Sequence, residues 1–186
     1  AEDPHHFTPH VPPPGVPYAV STPRRISIPL LPRVKDELKR LETMGVIRAI
    51  NEPTDWCAAL VPVLKPTGAV RLCVDFTHLN ESVKRERHVL PAVDEILAQM
   101  GQAKVFSKLD ANCGFHQISL TEDSQALTTF MSPFGRYCYT RLPFGINSAP
   151  EYFQKQVQNI LGDIPGVVCL MDDIVDLELE KIDKII

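Results

Sequence analysis

The chain has 186 residues, 44% of them hydrophobic and 23% charged, enough for one domain or one and a half with a buried core. No apolar run reaches the ~18 residues of a membrane span, and residues 1–23 are neither basic nor apolar enough for a signal peptide. The net charge of −4 is uneven: residues 24–88 hold 12 Lys and Arg against 8 Asp and Glu, whereas residues 89–186 hold 7 against 13. Such a front half suits phosphates and such a back half suits cations, although scatter of surface charge gives the same totals. The five cysteines are odd in number and widely spaced, with no CxxC pair. They argue against a zinc site or a disulfide framework and for reduced thiols. The expected setting is cytosolic or particle-associated, not secreted and not membrane-bound. The first residue is Ala, which suits a piece cut from a longer product.

Residues 1–32 carry 9 of the 17 prolines and read as an extended lead-in arm. From Pro32 the spacing of Val34, Leu38, Leu41 and Met44 predicts a helix, with Gly45 as its stop. Ala58–Leu64 and Ala69–Phe76 read as strands joined by a turn at Lys65-Pro66-Thr67-Gly68. A short helix follows Pro91, with Val93, Ile96, Leu97 and Met100 apolar and Gly101 at its end. Val105–Asp110, His116–Leu120, Leu127–Met131 and Arg136–Leu142 read as strands. Ser148-Ala149-Pro150-Glu151 has the form of a capping box, and Phe153, Val157, Ile160 and Leu161 give the next helix its stripe. Mixed helices and strands without strict alternation predict an α+β architecture.

The run Val167-Val168-Cys169-Leu170-Met171-Asp172-Asp173-Ile174-Val175 sets two neighbouring carboxylates in apolar surroundings. Ionised carboxylates are costly to bury unless paired or coordinated. Adjacent side chains on a regular strand also point to opposite faces. A tight turn at Asp172-Asp173 removes both difficulties, because the carboxylates then project from the tip of a hairpin. Asp110 ends its own strand. If that strand neighbours the hairpin, Asp110 and Asp172 face each other, and their repulsion calls for a cation between them. Mg²⁺ takes hard oxygen ligands, commonly one or two carboxylates plus substrate phosphates. Two such ions ~3.5–4 Å apart would clamp the attacking and leaving oxygens of a phosphoryl transfer. The plainer reading is a solvated Asp-Asp turn and an ordinary strand end.

Further pieces follow in a definite order. They are Met44-Gly45-Val46-Ile47, Thr54-Asp55-Trp56-Cys57, Val70-Arg71-Leu72-Cys73-Val74-Asp75-Phe76, Leu79-Asn80, Phe106-Ser107-Lys108-Leu109-Asp110 and Gly114-Phe115-His116-Gln117-Ile118. Then come Thr128-Thr129-Phe130, Pro133-Phe134-Gly135-Arg136-Tyr137, Arg141-Leu142-Pro143-Phe144-Gly145, Ser148-Ala149-Pro150-Glu151 and Met171-Asp172-Asp173. Together they resemble the reverse transcriptase of Ty3/Gypsy-type retrotransposon Pol polyproteins across residues 22–175. The resemblance implies the fingers and partial palm of a right-hand polymerase, with an antiparallel palm sheet, packing helices and no thumb. Residues 1–31 would be the arm, 32–90 and 121–150 mainly fingers, 91–120 and 151–175 mainly palm, and 176–186 a tail outside the family pattern.

The implied activity is RNA-directed DNA synthesis, adding a dNTP to a primer 3′ hydroxyl on an RNA or DNA template. By resemblance Asp110, Asp172 and Asp173 are the catalytic acids and metal ligands, for two Mg²⁺ ions with Mn²⁺ as a substitute. Lys65, Arg71, Phe115, Phe144 and Gly145 match nucleotide-binding positions, Phe115 as the ring that excludes a ribose 2′ hydroxyl. Leu170, Met171, Lys84 and Arg85 match template or primer contacts. Lys65 also reads as a solvated turn lysine, Phe115 as a core ring, Gly145 as a plain turn glycine, and Lys84 and Arg85 as a solvated basic face.

Three departures stand out. Leu170 replaces the family's usual aromatic residue. Cys113 and His116 stand where close relatives usually show serine and tryptophan. The match fades after Val175, and the thumb and RNase H portions have no counterpart in residues 176–186. A second reading is therefore a retroelement remnant with impaired catalysis and at most nucleic-acid binding. A third, a palm-type phosphotransferase such as a nucleotide cyclase, leaves the finger motifs without a purpose.

Overall fold

In the computed structural model, which describes residues 6–7, 17–84, 88, 93–101, 103 and 105–178, the chain opens on a two-residue strand β1 (His6–Phe7). Helix α1 (Leu31–Thr43) follows a 3-10 turn, with Pro32 in its first turn, where a missing N–H costs nothing. Val34, Leu38 and Leu41 are its buried residues. Gly45 leaves the helix with φ +66°, a conformation that favours glycine. Met44 lies beyond the last turn and is 52% exposed, so it is not part of the stripe.

Strands β2 (Ile47–Ala49), β3 (Ala58–Leu64) and β4 (Val70–Asp75) come next, then helix α2 (Thr77–Ser82). Helix α3 (Val93–Met100) and strand β5 (Val105–Asp110) follow. The chain then makes a 3-10 turn at Gly114–Gln117, strand β6 (Ser119–Leu120), helix α4 (Glu122–Leu127), and strands β7 (Phe130–Ser132) and β8 (Gly135–Tyr139). Helix α5 (Ala149–Leu161) and the hairpin β9 (Val167–Leu170) and β10 (Asp173–Glu178) complete the described chain.

The chain divides into two compact units. Unit 1 comprises Ala1–Arg85 and Phe115–Ala149; unit 2 comprises Glu86–Gly114 and Pro150–Ile186. Unit 1 holds a five-stranded sheet in the order β2-β8-β7-β3-β4, antiparallel except between β3 and β7. Helix α1 packs on β2 and β4. Phe130, Leu60, Ile47 and Leu38 are at most 1% exposed and form the centre of the core. In unit 2, β5, β10 and β9 form an antiparallel sheet in that order. Its buried cluster joins Ile96 of α3 to Val168 and Leu177. No described helix is long and apolar enough to cross a membrane.

Several expected elements are corrected. His116–Leu120 is strand only at Ser119–Leu120. The residues before it curl into the 3-10 turn, where the Ile118 N–H donates to the Phe115 carbonyl. The expected strand Leu127–Met131 begins at Phe130, because α4 occupies Glu122–Leu127 with two acids in its first turn. The strand expected over Arg136–Leu142 ends at Tyr139. The serine half of the expected capping box does not form: the Ser148 hydroxyl is buried without a hydrogen-bond partner. On α5, Phe153 is 4% exposed but Ile160 is 66% exposed, so the stripe is shorter than expected. Most of the proline-rich arm, Arg85 and residues 179–186 lie outside the described residues. The first residues of the expected tail, Asp176–Glu178, belong to β10.

Candidate active site

The acids sit on the sheet of unit 2, and register decides their relation. The expected turn at Asp172-Asp173 falls one residue earlier. Leu170 pairs with Asp173, so Met171 and Asp172 are the two loop residues and Asp173 begins β10. Met171 carries the positive φ, +55°, at the first loop position, as in a type II′ hairpin turn. A side chain rather than glycine at that angle stores strain.

Strand β10 also pairs with β5, and there Asp173 lies directly opposite Asp110. The Ala111 N–H donates to the Asp172 carbonyl at 2.8 Å. That bond makes Asp110–Asp173 a non-hydrogen-bonded pair, in which side chains on one face come closest, with Cβ atoms about 4.5–5.5 Å apart. It is therefore Asp173, not Asp172, that faces Asp110 in register, while Asp172 is exposed on the adjoining turn.

Lys108, two residues before Asp110 and on its face, reaches Asp173 with Nζ–Oδ2 at 3.0 Å. Both partners are well exposed, so this pair adds little stability; its effect is to offset like charge. Among the described residues, no three His, Cys, Asp or Glu side chains are grouped as a ready-made metal cage. The donor set fits Mg²⁺, which binds through one or two carboxylates with the rest supplied by phosphate and water.

Gln154 had no role in the sequence reading. It is fully buried on α5. Its Nε2 donates to the Cys169 carbonyl at 3.0 Å, and its Oε1 accepts from the Met171 N–H at 2.7 Å. One side chain thus fixes the end of β9 and the first turn residue. A neutral polar residue within a helical stretch has no mark of burial in its sequence neighbours, so nothing in the pattern singled it out. Gly114 admits the Phe153 ring: a Cβ there would lie 2.7 Å from Phe153 Cζ.

In unit 1, three of the expected nucleotide-binding residues meet at Phe144. Its ring lies 4.8 Å from Phe115 and 5.6 Å from His116 between centroids, and Arg71 Cζ stands 5.0 Å over it. Phe115 is 7% exposed and Phe144 42%. Burial, then the charges of Arg40 and Arg71, hold the His116 imidazole below its ordinary pKa. Gly145 follows Phe144 with φ +98°. Lys65 is exposed at the β3–β4 turn, its N–H donating to the Ala69 carbonyl at 2.8 Å. Arg71 pairs with Val63, so alternation sets Lys65 on the hairpin face of Arg71.

Of the template and primer candidates, Leu170 packs against the Ile96 cluster. Met171 occupies the turn and Lys84 is exposed.

Residues 63–177 match the family described as reverse transcriptase (RNA-dependent DNA polymerase). The chain is 34% identical over 147 residues to the retrovirus-related Pol polyprotein from transposon 297 of Drosophila melanogaster, covering 76% of this chain and 14% of that protein. It is 36% identical over 149 residues to the corresponding polyprotein from transposon gypsy of the same fly, again 76% and 14%. The chain therefore spans about a seventh of the length of these relatives.

Among solved structures, the prototype foamy virus protease-reverse transcriptase aligns with TM-score 0.79 and 27% identity, covering 94% of this chain and 23% of that one. The foamy viral protease-reverse transcriptase in complex with dsDNA aligns with TM-score 0.78 and 27% identity, over 92% of this chain and 36% of that one.

Proposed function

This chain belongs to the reverse transcriptase (RNA-dependent DNA polymerase) family, and from that membership we propose that it is the nucleotidyl-transfer part of a retrotransposon Pol polyprotein. In this reading unit 1 serves as fingers and unit 2 as palm. The primer 3′ hydroxyl attacks the α-phosphate of a dNTP and pyrophosphate leaves. No protein nucleophile is needed, so catalysis is alignment and charge neutralisation.

The observation that carries the reading is the cross-strand pair Asp110–Asp173 with Asp172 on the adjoining turn. Unpaired by a cation, such carboxylates repel. Asp110, Asp172 and Asp173 would hold two Mg²⁺ ions, or Mn²⁺ in their stead. The bound ions supply charge that offsets the triphosphate and lowers the pKa of the attacking hydroxyl. Lys108 holds Asp173 in place when no ion does. Arg71 gives phosphate oxygens a bidentate fork and Lys65 a compact charge. Phe115 stands beneath the sugar, and Phe144-Gly145 borders the nucleotide. Lys84, Arg85, Leu170 and Met171 contact template or primer. Binding of a primed template is supported by the foamy viral relative, whose complex contains dsDNA. Other portions of the polyprotein are expected to share the grip on it.

The test is extension of a DNA primer on an RNA template with Mg²⁺ and dNTPs. Wild type should extend, and Asp110→Asn or Asp172→Asn should lose at least about 100-fold, beyond the range for merely outer-shell partners. A cooperatively melting wild type that extends nothing overturns the enzyme reading and leaves a remnant of the fold.

A further inference from the structure

Asn80 lies on α2, yet both ends of its amide are spent on one distant loop. Nδ2 donates to the Gly145 carbonyl at 2.8 Å, and Oδ1 accepts from the Asn147 N–H at 2.9 Å. A carbonyl only accepts and a backbone N–H only donates, so these partners fix the orientation of the amide. The loop Pro143–Asn147 belongs to no strand or helix, and apart from Asn80 it is met at its far end by the Ala149 N–H, which donates to the Ile146 carbonyl at 3.1 Å. Its flanks are anchored by Leu142 and Ile146, 0% and 2% exposed. Between them the chain must turn at Gly145 with φ +98°.

The presenting helix is itself held. Leu79 is 3% exposed, and the Asn80 N–H donates to the Phe76 carbonyl at 2.8 Å. At the start of α2 the Asp75 carboxylate accepts from Thr77 Oγ1 at 2.6 Å and the Thr77 N–H at 3.2 Å. A side chain on a fixed element thus clasps the backbone on either side of Ile146, just past Phe144.

We infer that Asn80 is a positioning residue for nucleotide binding, holding the Phe144-Gly145 segment in the shape that sets the Phe144 ring against Phe115 and Arg71. This rests on the reading that Phe144, Gly145 and Arg71 meet the incoming nucleotide. Without the clasp the loop is freer, and nucleotide binding bears the cost of ordering it.

Amide hydrogen exchange on the full chain tests the clasp without any need for activity. In Asn80→Ala the Asn147 N–H should exchange at least about tenfold faster, the factor for one modest hydrogen bond, while β3 amides keep their wild-type rates. Asn80→Asp keeps the acceptor and should keep the Asn147 protection. Equal Asn147 rates in Asn80→Ala and wild type overturn the inference.

Primer extension supplies the functional arm. Asn80→Ala should raise KM for the dNTP about tenfold, with kcat and primer–template affinity near wild type. A wild-type KM in the active variant overturns this inference alone. A folded wild type that neither extends a primer nor binds a dNTP overturns the proposed function, and with it a nucleotide role for Asn80.

Discussion

Gln154 and His116 show what a single side chain settles. Gln154 leaves no polar atom wasted: its amide serves a carbonyl on β9 and an N–H in the turn. Gln154→Leu keeps the volume but leaves both backbone groups unpaired in the interior. It should cost about 1–3 kcal/mol, read as a lower urea midpoint; an unchanged midpoint would contradict the clamp. For His116 the sign follows from its depressed pKa. Burial, with Arg40 and Arg71 nearby, disfavours the charged ring in the folded chain. Stability is therefore whole above the unfolded histidine pKa and lost as pH falls below it. Wild type should lose stability between about pH 7 and pH 5, and His116→Phe should lose less. Parallel losses in the two proteins would assign the pH effect elsewhere. The acids were legible in the sequence because charge inside an apolar run is conspicuous. Gln154 was not, since a neutral polar residue on a helix carries no sign of which face it occupies.

Elements were legible where pattern and backbone agreed. Ala58–Leu64 and Val105–Asp110 are strands over the residues that alternation and β-branching suggest. Reading failed where local chemistry outweighed alternation. Thr128 and Thr129 turn their hydroxyls back to the Gln125 and Ala126 carbonyls, closing α4 where a strand was expected. At the hairpin, one residue of turn position changed which acid faces Asp110, because side chains alternate with a period of two. The far end of that hairpin is pinned by Gly166. Its φ is +84°, and a Cβ there would lie 2.9 Å from the Leu177 carbonyl oxygen. Gly166→Ala should therefore cost about 2 kcal/mol from backbone strain and crowding together. Thermal melting checks this; a Tm equal to wild type would show that the β9–β10 entry is not so constrained.

At the scale of the whole molecule, the chain visits unit 1, unit 2, unit 1 and unit 2 again. The centre of one sheet joins Ala58 to Phe130, and the other joins Val105 to Glu178. Neither pairing is local, so periodicity in short windows says nothing of either. Even with its partner in place, β5 leaves Val105, Phe106 and Leu109 at 43%, 57% and 58% exposure. On the ribosome that strand emerges long before β10 exists. At 5–20 residues per second it waits roughly 3–14 s for its neighbour. For that interval the nascent polypeptide displays an apolar strand whose edge is unmatched, the kind of segment that invites aggregation until its neighbour arrives.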